Sequence, residues 1–100
     1  MVLTLPPTAV PIADVTWREP AIVEGRIRSL RVRPWGDNPT LEVVLVDETG
    51  GINLVFLARR RVAGLKLGTR LRAEGTIGSR DQRPTIINPS YTILPAEHGA

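Results

Sequence analysis

The amino-acid sequence predicts an all-β fold, a five-stranded Greek-key barrel with one short helix between strands 3 and 4. Three observations carry the prediction. Apolar and polar residues alternate over five separate segments, which is the period of a half-buried strand. The alternation changes phase inside the first of them, as a long bent strand shared by both halves of a small barrel requires. One stretch, residues 58–66, departs to helical spacing.

A chain of 100 residues with 42% hydrophobic content suffices for one core and is too short for two. The expected organisation is an N-terminal extension over 1–20, partly flexible, a barrel domain over 21–95 and a C-terminal tail over 96–100. The chain has no cysteine, which removes disulfides, thiol nucleophiles and thiolate zinc sites and fits a reducing compartment. Met1 to Pro11 lack the pattern of a signal peptide, and no segment approaches the ~20 apolar residues of a bilayer span. A cytoplasmic protein without membrane contact is the expectation.

The elements follow in order. Pro6, Pro7, Pro11 and Pro20 resist helix and supply no amide donors, so most of residues 1–20 is expected as tail or loose lead-in. Trp17 is the exception and is expected to fold back as a plug on the core. Val23, Gly25 and Ile27 share one face of the first strand, with Glu24, Arg26 and Arg28 on the other. Leu30 and Val32 then take the opposite parity, so a bulge with one extra residue is expected near Ser29, and Gly25 would ease a bend. Residues 33–39, dense in turn formers, read as a loop.

Leu41, Val43 and Leu45 form the inward side of strand 2, and Ile52, Leu54 and Phe56 that of strand 3. Between them, Asp47 to Gly51 make a hairpin in which the Asp side chain can bond amides two residues on. Ala58, Val62 and Leu65 give the helical spacing, which Gly64 and Gly68 limit to a turn or two. Leu71, Ala73 and Ile77 face inward on strand 4, residues 79–83 make the last tight connection, and Thr85 to Leu94 form a strand interrupted at Asn88-Pro89. This order of elements is that of the OB-fold, a partly open barrel used to bind oligonucleotides and oligosaccharides.

Several strings extend the reading. Val23-Glu24-Gly25-Arg26-Ile27, Leu41 to Val46 leading into Asp47-Glu48-Thr49-Gly50-Gly51, Leu54-Val55-Phe56-Leu57, Gly68-Thr69-Arg70-Leu71-Arg72-Ala73-Glu74-Gly75 and Ile87-Asn88-Pro89-Ser90-Tyr91 resemble the OB (wedge) domain of RecG-type helicases. The same strings are similar to stand-alone bacterial OB-fold nucleic-acid-binding proteins, over residues 20–94. The resemblance implies binding to single-stranded or branched DNA, in repair or recombination. Two departures bear on it. The chain has no Gly-x-x-x-x-Gly-Lys-Ser/Thr string, so the helicase motor is missing from it. Also, the outward residues of strands 2 and 3, Val44, Val46, Asn53, Val55 and Leu57, include no aromatic on which a base would stack.

Charge points the same way. Lys and Arg number 13 against 10 acids, and Lys66 is the single lysine. Residues 1–20 hold Arg18 against Asp14 and Glu19, so the barrel itself is the basic part. A GC-rich genome favours arginine, and guanidinium also grips phosphate and stacks on bases better than ammonium does. Arg26, Arg28, Arg31 and Arg33 line strand 1, Arg59 to Arg61 follow strand 3, and Arg70 and Arg72 alternate on strand 4. Because strand 1 neighbours strand 4 in this topology, Arg26, Arg28, Arg70 and Arg72 form a candidate phosphate stripe, unless Glu24, Glu42 and Glu74 pair with them.

Arg33 and Trp35, in the loop between the first strands, and Arg80, Gln82 and Arg83, in the last connection, are candidates to line one cleft. Trp35 either stacks a base there or closes the barrel end. The candidate binding residues are thus Arg26, Arg28, Arg33, Trp35, Arg70, Arg72, Arg80 and Arg83, with DNA expected over RNA. The alternative is an interaction adaptor or self-associating domain using the aliphatic face of Val44, Val46, Val55 and Leu57. No catalytic set is legible: the single histidine, His98, lies two residues from the end without a partner motif, and Asp47-Glu48 sits where a hairpin needs a turn. No enzyme activity, metal, cofactor or small-molecule substrate is expected.

Overall fold

The computed structural model describes residues 8–95, and of Trp35 the backbone alone. Seven strands form one sheet: β1 (Pro20–Trp35), β2 (Asn38–Val46), β3 (Gly51–Leu57), β4 (Arg70–Thr76), β5 (Gly78–Arg80), β6 (Arg83–Ile87) and β7 (Ser90–Ile93). Their order is β5-β6-β3-β2-β1-β4-β7. Its β6 and β7 are separated by only Asn88 and Pro89 in the chain, so the sheet curls until its two sides are joined by one short segment.

β1 does double duty. Pro20 to Arg26 pair antiparallel with β4, ending with Arg26 opposite Arg70, while Arg26 to Trp35 pair antiparallel with β2, starting with Arg26 opposite Val46. Glycine is needed at the switch, because a Cβ on Gly25 would run into the Val46 carbonyl. The expected bulge is present: Ile27 faces Leu45 and Ser29 faces Val44, leaving Arg28 as the extra residue. The phase change buries Val23 and Ile27 before the bulge and puts half-buried Leu30 inward after it, whereas Val32, expected inward, remains 51% exposed.

The five expected strands number seven, because the fourth is divided into β4 and β5 and the last into β6 and β7. Other expectations are corrected as well. There is no α-helix among the described residues: Ala58, Gly64 and Gly68 take positive φ (58°, 82° and 84°), which breaks the repeating right-handed geometry a helix needs. The helical spacing marked anchors instead, since Val62 and Leu65 are buried under a chain of turns. The final strand is two strands. Asn88 adopts φ 49° and its side-chain oxygen accepts from Leu57 N (3.0 Å) while its own N–H donates to Val55 O (2.7 Å). The chain thereby leaves the parallel pairing of β6 with β3 and turns to pair antiparallel with β4 as β7. Finally, residues 33–39 are a tight hairpin, with β1 reaching Trp35 and Gly36 taking φ 63° at the first central position of the two-residue turn.

The core joins Val23, Ile27, Leu41, Val43, Leu45, Ile52, Leu54, Phe56, Leu71, Ala73, Ile77 and Ile86, all buried. Ile12, in a single 3-10 turn (Ile12–Asp14), joins them at 2% exposure. It, rather than Trp17, is the plug that the lead-in contributes. Asp47 holds this turn: its Oδ2 accepts from Ile12 N (2.9 Å), and its Oδ1 accepts from Thr49 N (2.7 Å), Thr49 Oγ1 (2.6 Å) and Gly50 N (3.0 Å). One carboxylate thus closes the β2–β3 hairpin and fastens residue 12 to it. Burial by itself would raise the Asp47 pKa, but the bonds from the Thr49 hydroxyl and from the Ile12, Thr49 and Gly50 amides outweigh it and hold the pKa below its ordinary value.

Two outcomes test this framework. Gly25→Ala should destabilise by about 3 kcal/mol, since the fixed Val46 carbonyl cannot yield to a methyl group; urea unfolding measures it. Asp47→Ala should cost about 1–2 kcal/mol at neutral pH. A depressed native pKa contributes stability that is complete above the unfolded value of about 4 and fades as the pH falls through the native value. The gap between Asp47→Ala and the parent should therefore narrow in unfolding curves taken at about pH 2.5.

Candidate nucleic-acid interface

Because β1 changes phase at Arg28, the residues after it turn a different set of side chains outward. Ser29, Arg31 and Arg33 lie opposite Val44, Glu42 and Thr40 of β2. These in turn face Asn53, Val55 and Leu57 of β3, and β6 continues two of the rows with Thr85 opposite Asn53 and Ile87 opposite Val55. The outer surface of the barrel thus carries a short ladder running from arginine on β1 to aliphatic residues on β3 and β6.

The β5–β6 hairpin closes one side of this surface. Its turn residues Asp81 and Gln82 take φ 54° and 64°, the two positive values of a tight hairpin turn met here without glycine. Arg80 and Arg83 are the pair flanking the turn. Ser29, Arg31, Arg33, Glu42, Val44, Asn53, Asp81 and Arg83 line a depression of about 230 Å³. Arg83 also lines a second depression of about 490 Å³ with Arg28 and the Asp47–Gly51 hairpin.

Glu42 is the centre of the charge pattern. Its Oε1 lies 3.5 Å from Arg33 Nη1 and its Oε2 3.2 Å from Arg80 Nη1, with the carboxylate side chain only 16% exposed. A single acid is therefore clamped between guanidiniums from β1 and β5. With Arg31 and Arg83 in the same neighbourhood, the cations still outnumber Glu42 and Asp81 there. Beside them, Thr40 is buried and its Oγ1 has no hydrogen-bond partner.

The expected stripe of Arg26, Arg28, Arg70 and Arg72 is divided. Arg33, Arg80 and Arg83 meet around Glu42, and Arg28 joins them through Arg83. Arg26, Arg70 and Arg72 belong to the other half of β1 and to β4. Arg26 and Arg70 face each other across the ladder, and Arg70 Nη1 donates to Pro95 O at 3.3 Å. Arg72 is neutralised, donating to Glu24 Oε2 from Nε (2.7 Å) and lying 2.6 Å from it at Nη2. The backbone of Trp35 ends β1 opposite Asn38, and the choice between base stacking and lid for its side chain lies outside the described residues. His98 also lies outside them.

The aliphatic face expected as a partner surface is not open. Val55 is 1% exposed, flanked by Glu42 and Ile87 in neighbouring strands, and Val44, Val46 and Leu57 are half-buried. Two residues outside the candidate set matter more than expected. Arg31 could have been selected from the phase change, which gives it the side of Arg33. Glu42 was expected only as a pairing partner of the strand 1 and strand 4 arginines; that it meets Arg80 depends on β5, which alternation does not place.

Among the described residues no group of three His, Cys, Asp or Glu comes together to hold a metal ion, and no helix is long and apolar enough to cross a membrane. No curated protein matches the chain in sequence. In fold, the chain is similar to the solution NMR structure of the replication factor A related protein from Methanobacterium thermoautotrophicum. The TM-score is 0.64 and the identity 20%, with 91% of this chain and 96% of that chain covered. The family model described as OB-fold nucleic acid binding domain (tRNA_anti-codon) matches residues 21–94, which span β1 through β7. The all-β barrel with its arginine-lined outer face therefore belongs to the OB-fold nucleic acid binding domain family.

Proposed function

We propose that this protein is a non-catalytic module that binds single-stranded DNA with little sequence preference, along the face formed by β1, β2, β3 and the β5–β6 hairpin. The observation that carries the reading is the gathering of Arg31, Arg33 and Arg83 around one depression, with Arg80 joined to it through Glu42 and Arg28 through Arg83. These guanidiniums come from three separate strands and the bulge, and a sugar-phosphate backbone is the common polyanion whose charges repeat on that scale. Guanidinium forks suit phosphate oxygens, and each phosphate neutralised releases counterions. The half-buried residues beside the cations, Val44 and Leu57, offer apolar contact rather than base-edge readout, which favours tolerance of sequence. The resemblance to RecG-type wedge domains adds branched DNA to the substrates to be compared, and a place in repair or recombination.

Glu42 sets the affinity in this scheme. Its carboxylate lies between Arg33 and Arg80, in buried contact with Arg80 Nη1, and competes with any phosphate for the exposed Arg33 guanidinium. Binding must therefore exchange one anion for another, which lowers affinity and favours a partner that presents several phosphates at once.

Titration of labelled single-stranded, duplex and forked oligonucleotides, DNA and RNA, over a salt series tests the reading. If about four phosphates are engaged on a single strand, log affinity should fall with log salt with a slope near −3. Absence of binding to every probe at low salt would overturn the proposal. Glu42→Gln keeps the shape and removes the charge, so it should tighten single-strand binding by about tenfold and steepen the slope by roughly 0.7 for each extra phosphate contact. An unchanged affinity would show that Arg33 and Arg80 lie off the path of the strand.

A further inference from the structure

The outer face of β2 and β3 holds the arginine cleft but no aromatic side chain, so bases have nothing to stack on there. An indole is displayed elsewhere. Trp17 is 60% exposed, although a large apolar ring is the kind of side chain a small barrel usually buries. Its exposure is built into the backbone. Arg18 N donates to Ile77 O (2.8 Å) and Ile77 N to Glu19 O (3.0 Å), so the lead-in is bonded to the chain just before β5. Between those two bonds Arg18 takes φ 71°, a conformation that is strained for arginine and is retained only where surroundings impose it.

The Arg18 guanidinium carbon sits 4.2 Å from the centroid of the Trp17 ring, a cation–π contact that keeps a positive charge beside the indole. Trp17 lines a depression of about 660 Å³ with Gln82, Arg83 and Pro84 of the β5–β6 hairpin, and with Gly50 and Gly51. Arg83 belongs both to this depression and to the arginine cleft around Glu42. A strand that runs through the cleft and past Arg83 arrives at the indole.

We infer that Trp17, with Arg18 on its ring, is a stacking site for one nucleobase of the single strand whose backbone occupies the arginine cleft. The inference rests on the proposed function and adds a site outside the β2–β3 face. Arg18 has two roles in it: holding the ring, and meeting the phosphate next to the stacked base. Selectivity follows from the chemistry. The site requires a flat unpaired base, so it accepts any of the bases in a single strand and rejects a duplex, in which both faces of each base are already stacked.

The test uses two oligomers of roughly 12 nucleotides, within the span an OB domain covers. One is oligodeoxythymidine and the other is an abasic phosphodiester of equal length and charge. In the Trp35→Phe protein, where Trp17 is the one remaining indole, thymidine oligomer should quench the fluorescence and the abasic oligomer should not. In the protein that retains Trp35, Trp17→Ala should weaken binding of the thymidine oligomer about tenfold and leave binding of the abasic oligomer unchanged, and Trp17→Phe should restore most of the loss. Because Trp17 is exposed, Trp17→Ala should keep the parent's unfolding midpoint; if that variant fails to fold, the quenching contrast decides by itself. Binding of both oligomers with no contrast in quenching and no effect of Trp17→Ala would overturn the stacking site and leave the arginine cleft standing. Failure of the unsubstituted protein to bind either oligomer would instead remove the proposed function and this inference together.

Discussion

A single strand cannot pair with different neighbours along its length without a place to turn, and Gly25 to Arg28 is that place. The Val46 carbonyl lies where a Cβ on residue 25 would be, so glycine alone lets β2 cross β1 while β4 still pairs with the preceding half. The extra residue, Arg28, then shifts the phase of all that follows. Each consequence for the surface comes from this shift. Before it, Glu24 and Arg26 share the outer side; after it, Ser29, Arg31 and Arg33 do, and the cleft exists because Arg31 and Arg33 reach the side that Glu42 also occupies. A β1 without the bulge would send these two arginines toward the barrel interior.

The opposite side of the barrel is joined by a polar device rather than an apolar one. Asn88 substitutes its side-chain oxygen for a ladder acceptor at Leu57 N, and Pro89 follows where a donor is not needed. The chain can then leave β3 and reach β4 within two residues. Asp47 works comparably at the other end, using one carboxylate to satisfy amides of its own turn and of residue 12. In both places a short polar side chain takes over hydrogen bonds that the regular sheet would have made, which is how the sheet closes without an α-helix among the described residues.

Electrostatics divides the arginines by what lies across from them. Arg72 meets Glu24 in the adjacent strand and its charge is largely spent there, whereas Arg33 and Arg80 share one carboxylate between two cations. The cluster around Glu42 consequently keeps a positive excess, and the β1–β4 flank keeps less of one. The same comparison places the indole. With Ile12 filling the end of the core, Trp17 is left outside beside Arg83, at the far end of the basic surface.

Much of the fold was legible in the sequence because alternation is local. The inward sides of β2, β3 and β4, the bulge in β1, the Asp47 turn and the break at Asn88-Pro89 were all visible from neighbouring residues. The helix expected over 58–66 was not formed, since Val62 and Leu65 can be buried by turns as well as by a helical face, and spacing alone cannot separate the two. Partnership was settled by folding. Glu24 and Arg72 are 48 residues apart and Ile12 and Asp47 are 35 apart. Local alternation was enough to assign sides to the arginines of the first and fourth strands, while the curvature of the sheet decided which arginines meet, which carboxylate stands between them and which apolar residue of the lead-in is buried. Those outcomes depend on long-range register, and no local pattern encodes the distance between residues that only folding brings together.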